Sequence, residues 1–186
     1  NALKINALIW DYFNLPQSLS LFTKSLFNLN MNDDQACEAL RAVNSLAADA
    51  KNNGKHPFAA VLVAEDAETV LLSTSNISTV KHAEIELARK AAEMYDADFL
   101  WRCTLATNFE PCAMCTGAIY WANIGRIVYG VSETELIKLT GSHKENPTLK
   151  LPCRDIIKAG FKQIEVIGPY KSVKDEILEL HRNFWL

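Results

Sequence analysis

The sequence predicts an α/β protein, a three-layer α/β/α sandwich on a central, mixed five-stranded sheet. Three observations carry this. A helical repeat of apolar residues begins at Asp33, two short β-rich runs follow it as a hairpin, and strands then alternate with helices through the rest of the chain. A hairpin contributes an antiparallel pair, whereas strands separated by helices need crossovers. Crossovers make a parallel portion of sheet with helices on both faces.

From Asp33 to Asn52 the residues Ala36, Leu40, Val43, Leu46, Ala47 and Ala50 recur at helical spacing, with Asn32 or Asp33 placed to cap the start and "NNG" at 52–54 to stop it. "HPFAAVLVAED" and "ETVLLSTSN" read as two strands joined by an acidic turn. "HAEIELARKAAEMYD" begins a second helix at or near His82, with acids early and bases later as the helix dipole prefers. "CTLATN" is a strand, "FEPC" a loop, "CAMCTGAIYWANIG" an apolar helix ended by Gly125, and "RIVYGV" the next strand. "SETELIKL", "LPCRDIIKAG", "KQIEVIG" and "KSVKDEILELHRNFW" add helix, helix, strand and helix, the last running to Trp185.

The 186 residues suffice for one domain with a substantial core that needs neither disulfides nor a structural metal. That domain is read as 32–186. Residues 1–31 form an N-terminal extension, read first as an arm packing on the domain or a partner subunit, then as an upstream start, then as a targeting segment. It is too rich in Leu and Phe to leave in water, and it lacks the basic region and small-residue cleavage site of a secretory signal. The apolar fraction is 49% and the charged fraction 22%, as in soluble globular domains, and no apolar run is long enough for a bilayer, so no membrane partner is expected. Nineteen basic against 22 acidic residues, net −3, offer no general attraction for polyphosphate and disfavour nucleic acid as a partner. Five cysteines in no regular framework suit a reducing, cytoplasmic location.

"EPCAMC" at 110–115 holds the first chemical signal. A CxxC pair alone serves thiol exchange, structural zinc or catalytic zinc. "HAE" at 82–84, thirty residues before Cys112, falls in the same context, a loop entering a helix. A helix N-terminus stabilises thiolates. His82, Cys112 and Cys115 would make three N/S ligands with a fourth position open to water, as a catalytic zinc needs. Glu84, on the same turn as His82, is placed for proton transfer. A structural zinc would need a fourth ligand, and Cys103 and Cys153 do not stand at ligand spacing; with Cys37 they read as inert thiols.

H-x-E followed by P-C-x-x-C is the signature of zinc deaminases. "HAE" and "EPCAMCTGAIYWA" resemble the cytidine deaminase-like superfamily in its nucleobase deaminase branch, nearest to bacterial guanine deaminases and more distantly to tRNA adenosine and cytosine deaminases. The resemblance runs from about Asp33 through Gly130. It implies one Zn2+ per subunit on His82, Cys112 and Cys115, with Glu84 as proton shuttle. It also implies that Asn76 bonds the substrate ring, Phe58 stands beside the base and Trp121 lines the pocket. On residue type alone Phe58 and Trp121 are equally core aromatics, and Asn76 a turn residue. "TGSHKENPT" contributes His143 and Glu145 as candidates for closing over the substrate, while His56 is read as a loop residue and His181 as part of a solvated helix face.

The resemblance further implies a homodimer acting on a small-molecule nucleobase. Guanine to xanthine plus ammonia is the leading instance; tRNA adenosine deamination and cytosine or nucleoside deamination are the alternatives.

Overall fold

The structure, a computed structural model, describes residues 31–185 apart from 142 and 145. The extension read at 1–31 therefore lies outside the described residues except for Met31, which is buried in the core.

Helix α1 (Asp33–Asn52) starts on a capping box: Asn32 Oδ1 accepts from the Gln35 amide at 2.9 Å, and Gln35 Oε1 accepts from the Asn32 amide at 3.0 Å. Strands β1 (Ala59–Val63) and β2 (Val70–Ser75) form the expected hairpin. Its turn is held by Asp66, which accepts from the backbone amides of Glu68 and Thr69. Then come α2 (Ala83–Met94), α3 (Ala97–Arg102), β3 (Thr104–Phe109), α4 (Ala113–Trp121), β4 (Arg126–Val131), α5 (Glu133–Thr140), α6 (Cys153–Lys158), β5 (Glu165–Ile167) and α7 (Lys171–His181).

The five-stranded sheet has the order β2-β1-β3-β4-β5. β1 runs antiparallel to both neighbours, whereas β3, β4 and β5 are parallel, so the sheet is mixed as the sequence predicts. The pleat divides β1 between two cores. Ala59, Val61 and Val63 pack with Leu40 and Val43 of α1 and Ile177 of α7; Ala60 and Leu62 pack with Leu87 of α2, Ile119 of α4 and Ile157 of α6. Those two helix sets are the outer layers of the sandwich. Among the described residues no helix is long and apolar enough to cross a membrane.

Two elements depart from expectation. α3 has no long apolar period to announce it; Asp96 nucleates it by accepting from the Phe99 amide at 2.8 Å. Its C-terminal end crosses the start of β4 so closely that a Cβ on Gly125 would lie 1.9 Å from the Trp101 carbonyl oxygen, and only glycine fits. α7 stops at His181 instead of continuing to Trp185. The chain turns through Asn183 at φ 61° and returns Trp185 to the interior.

Strand direction collects the functional residues. Because β2 and β3 are both antiparallel to β1, they are parallel to each other, and so is β4. The segments following β2, β3 and β4, and the segment preceding β1, thus lie at one end of the sheet. Phe58, Asn76, Glu110 and Glu133 occupy those four segments. The N-termini of α2, α4 and α5 open at the same end, an arrangement that places ligand sites at strand C-termini in α/β sheets.

Candidate active site

His82 is the N-cap residue of α2 and Cys112 that of α4, yet neither side chain caps its helix. Both turn instead to a common point, where Cys115, one turn into α4, joins them. His82 Nδ1 lies 3.7 Å from Cys112 Sγ and 3.6 Å from Cys115 Sγ. Zinc bonds of about 2.0–2.1 Å to nitrogen and 2.3 Å to sulfur, at a tetrahedral angle, give an N···S edge of about 3.6 Å. The donor set fits that ion. Among the described residues His82, Cys112 and Cys115 are the one group of three ligating side chains close enough to hold a metal.

The electrostatics of the group agree. Cys112 is held down to about 4 by the hydrogen bond from Cys115 and by that from His82, against the cost of burial. Cys115, the donor to that thiolate, is buried beside Glu84 and pushed the other way. The His82 ring is raised first by its bond to Cys112, and it also hydrogen bonds the Thr79 backbone. A contact of this kind to a metal-ligating histidine fixes ring orientation.

Glu84 is 6% exposed and stands on the first turn of α2. Burial, then the Cys112 charge, raises its pKa. Thr107 Oγ1 reaches Glu84 Oε1 at 3.0 Å, and Cys115 Sγ lies 3.5 Å from Oε2. The carboxylate is therefore anchored by one oxygen from β3 beside the metal ligands.

Around this centre is a cavity of about 290 Å³, lined among others by Phe58, Asn76, His82, Glu84, Glu110, Cys112 and Glu133. Phe58 meets Phe109 edge-on at 5.5 Å, serving core and pocket together. The Asn76 amide donates to the Phe58 carbonyl at 2.9 Å, which fixes the asparagine at the wall. His56 lines the cavity as well, packed 5.0 Å from the Trp185 ring.

Other expected residues fall elsewhere. Trp121 is 80% exposed and does not line the cavity. It follows Cys112 by nine positions, about half a turn out of phase on an α-helix, and so occupies the opposite face of α4. His143 packs edge-on against Trp185 at 5.6 Å, while its neighbours Lys144, Asn146 and Thr148 line the cavity. Glu145 lies outside the described residues. Cys103 and Cys153 are buried away from the ligand group, and burial pushes the Cys103 thiol up to about 12.

His181, expected on a solvated face, is 1% exposed. Trp185 Nε1 donates to its Nδ1 at 3.2 Å, so the ring proton sits on Nε2, which donates to the Pro57 carbonyl at 3.0 Å. This clasp backs the His56–Phe58 wall. Burial pulls the imidazole down to about 3, from an ordinary value of 6.5. Between those values the unfolded chain binds a proton that the folded chain refuses. Stability contributed by neutral His181 is thus complete above pH 6.5 and is lost progressively toward pH 3, at up to about 1.4 kcal/mol per pH unit. Unfolding free energies measured against pH should show this slope in the native chain and its loss in His181→Gln. Equal slopes in the two would contradict it.

Residues 107–133 hold what residue-type reasoning missed. Glu110, Thr107 and Glu133 are buried and polar in otherwise apolar surroundings. For Glu110 the available signal was an acid directly after an apolar strand.

An imidazole and two cysteine sulfurs around one point, with a buried carboxylate beside them at the mouth of an α/β sheet, define the class of zinc-dependent hydrolytic deaminases. The family described as "Cytidine and deoxycytidylate deaminase zinc-binding region" matches residues 33–131, and the chain belongs to that family. It is 38% identical over 153 residues to a probable cytosine deaminase of Schizosaccharomyces pombe, covering 78% of this chain and 90% of that protein. It is 37% identical to the guanine deaminase of Bacillus subtilis over 52% of this chain and 64% of that one. The solved guanine deaminase of Nitrosomonas europaea shares the fold with a TM-score of 0.58, at 20% identity, over 77% of this chain and 81% of that one.

Proposed function

We propose that residues 32–186 form a deaminase domain acting on a free nucleobase, with cytosine to uracil plus ammonia as the first reaction and guanine to xanthine as the second. The observation that carries this reading is the seating of Glu84 against the ligand group in a cavity of about 290 Å³, at the small end of the roughly 300–1,000 Å³ range of small-molecule pockets. A single ring system suits that volume. Sequence resemblance alone puts guanine first. The likeness to the probable cytosine deaminase, which spans 90% of that protein, supports moving cytosine ahead, and the shorter likeness to the Bacillus subtilis enzyme keeps guanine second.

In this reading His82, Cys112 and Cys115 hold zinc. A zinc ion held there would supply Lewis acidity, lowering the pKa of a water to near ~7. Glu84, whose Oε1 meets Thr107, takes the first water proton on Oε2 and passes it to the ring nitrogen, where it remains in the product; it then takes the second proton from the added oxygen and gives it to the amine, which leaves as ammonia. Phe58 offers an aromatic face to the base, and Asn76 its carboxamide to the ring edge. The helix N-termini at His82 and Cys112 favour the neutral imidazole and the thiolate, the forms that bind a cation.

A homodimer belongs to the same reading. Trp121, Met114 and the 99%-exposed Phe161 leave an apolar surface on and beside α4, of the kind that marks protein interfaces. The free cysteines among the described residues support a cytoplasmic setting. The net charge of −3 argues against a tRNA substrate.

Ammonia release by the zinc-loaded protein from cytosine, guanine, adenine, their nucleosides and simple aminotriazines tests the proposal. Turnover of cytosine or guanine ahead of the nucleosides is expected. Silence across the panel, or preference for a nucleoside, overturns it.

A further inference from the structure

Glu133 opens α5 at the end of the sheet where the other site residues collect. Its backbone is committed: the amide donates to Glu110 Oε2 at 3.1 Å. Its carboxyl group is not. The residue is 6% exposed and lines the cavity with Glu84 and Asn76, yet among the described residues the carboxyl has neither a hydrogen-bond nor an ion-pair partner. The carboxyl opens to the cavity, and no contact of the fold accounts for an acid there. Ser132 already caps α5 by accepting from the Glu135 amide, so the helix does not need an acid at position 133. A buried polar group without a protein partner, aimed into a cavity, is provided for by what enters the cavity.

We propose that Glu133 is a specificity-determining residue whose carboxyl group accepts a hydrogen bond from a ring N–H of the free base. This rests on the free-base reading above and deepens it. In cytosine the exocyclic amine is the group that leaves, while N3 and O2 are acceptors. The only remaining donor is N1–H. That hydrogen is the one a glycosidic bond replaces, so in a nucleoside the carboxyl would face carbon and stay unpaired. Guanine presents the same contrast at N9–H. Leaving a site's buried polar group unpaired is a strong basis for rejecting an analogue.

The test is calorimetric binding to the zinc-loaded Glu84→Gln protein, whose turnover should be at least ~100-fold slower, using cytosine against cytidine and guanine against guanosine. Adding Glu133→Met should weaken binding of the preferred base at least ~10-fold and leave its nucleoside nearly unchanged. Glu133→Gln, which keeps an acceptor oxygen, should lose less. Zinc content should hold and Tm should not fall, because an unpaired buried carboxyl has been removed. Unchanged base binding in Glu133→Met, or equal weakening of base and nucleoside, overturns the inference and leaves the functional reading standing. If none of the four probes binds the protein with Glu133 intact, the free-base reading fails and this inference fails with it.

Discussion

Glu84→Gln should keep its zinc and lose at least ~100-fold in turnover, the usual scale for removing a general acid/base. The substitution preserves volume and preserves an oxygen for Thr107, whose hydroxyl lies 3.0 Å from Oε1. The ligand group is untouched, since His82, Cys112 and Cys115 meet one another directly within 4.8 Å. What disappears is the capacity to take and return a proton. The loss should therefore appear in kcat, with KM changed little, because the interaction removed belongs to the transition state. Metal analysis alongside ammonia release separates the two effects. Near-normal turnover with full zinc would remove Glu84 from the chemistry.

Glu110→Ala should be the most destabilising change near the site. One carboxylate there joins three segments. Oε1 accepts from the Cys153 amide at 3.0 Å, Oε2 from the Glu133 amide at 3.1 Å, and the Glu110 amide itself donates to the Val131 carbonyl at 2.8 Å. The loop that delivers Cys112 is thereby tied to the starts of α5 and α6. Alanine would orphan two buried amides at about 1–3 kcal/mol each, a total of roughly 2–6 kcal/mol. Against a typical stability of about 5–15 kcal/mol that is a large share. Chemical unfolding should show it, together with weaker zinc retention as the Pro111–Cys112 loop loosens. A variant that unfolds within ~0.5 kcal/mol of the native chain would show that the carboxylate is not the tie.

The layered fold was legible because its causes are local. Periods of 3.6 and 2 residues mark the helices and strands, and the ligand group could be read because two helix starts carry its members at fixed offsets. His181 and Glu110 were not legible for the opposite reason. Each acts on backbone groups far along the chain, 124 residues away for His181 and Pro57, and 43 for Glu110 and Cys153. No local pattern records such a bond. Trp121 misleads differently: α4 is apolar nearly all round, so composition does not say which face turns inward. Only the phase set by Cys115 and Ile119, both buried, resolves it. Glu133 was missed because an acid in the first turn of a helix is ordinary, and only its enclosure makes it otherwise.

The Pro57 carbonyl is reached by two side chains, Asn108 Nδ2 at 2.8 Å and His181 Nε2 at 3.0 Å. They leave the ribosome at different times. Asn108 emerges just before Cys112 and Cys115, whereas His181 follows Cys115 by 66 residues, a delay of roughly 3–13 s at about 5–20 residues per second. During that interval all three metal ligands have been synthesised, but the clasp behind His56 and Phe58 does not yet exist. Vectorial synthesis thus completes the His82, Cys112 and Cys115 set before the clasp behind the wall can close.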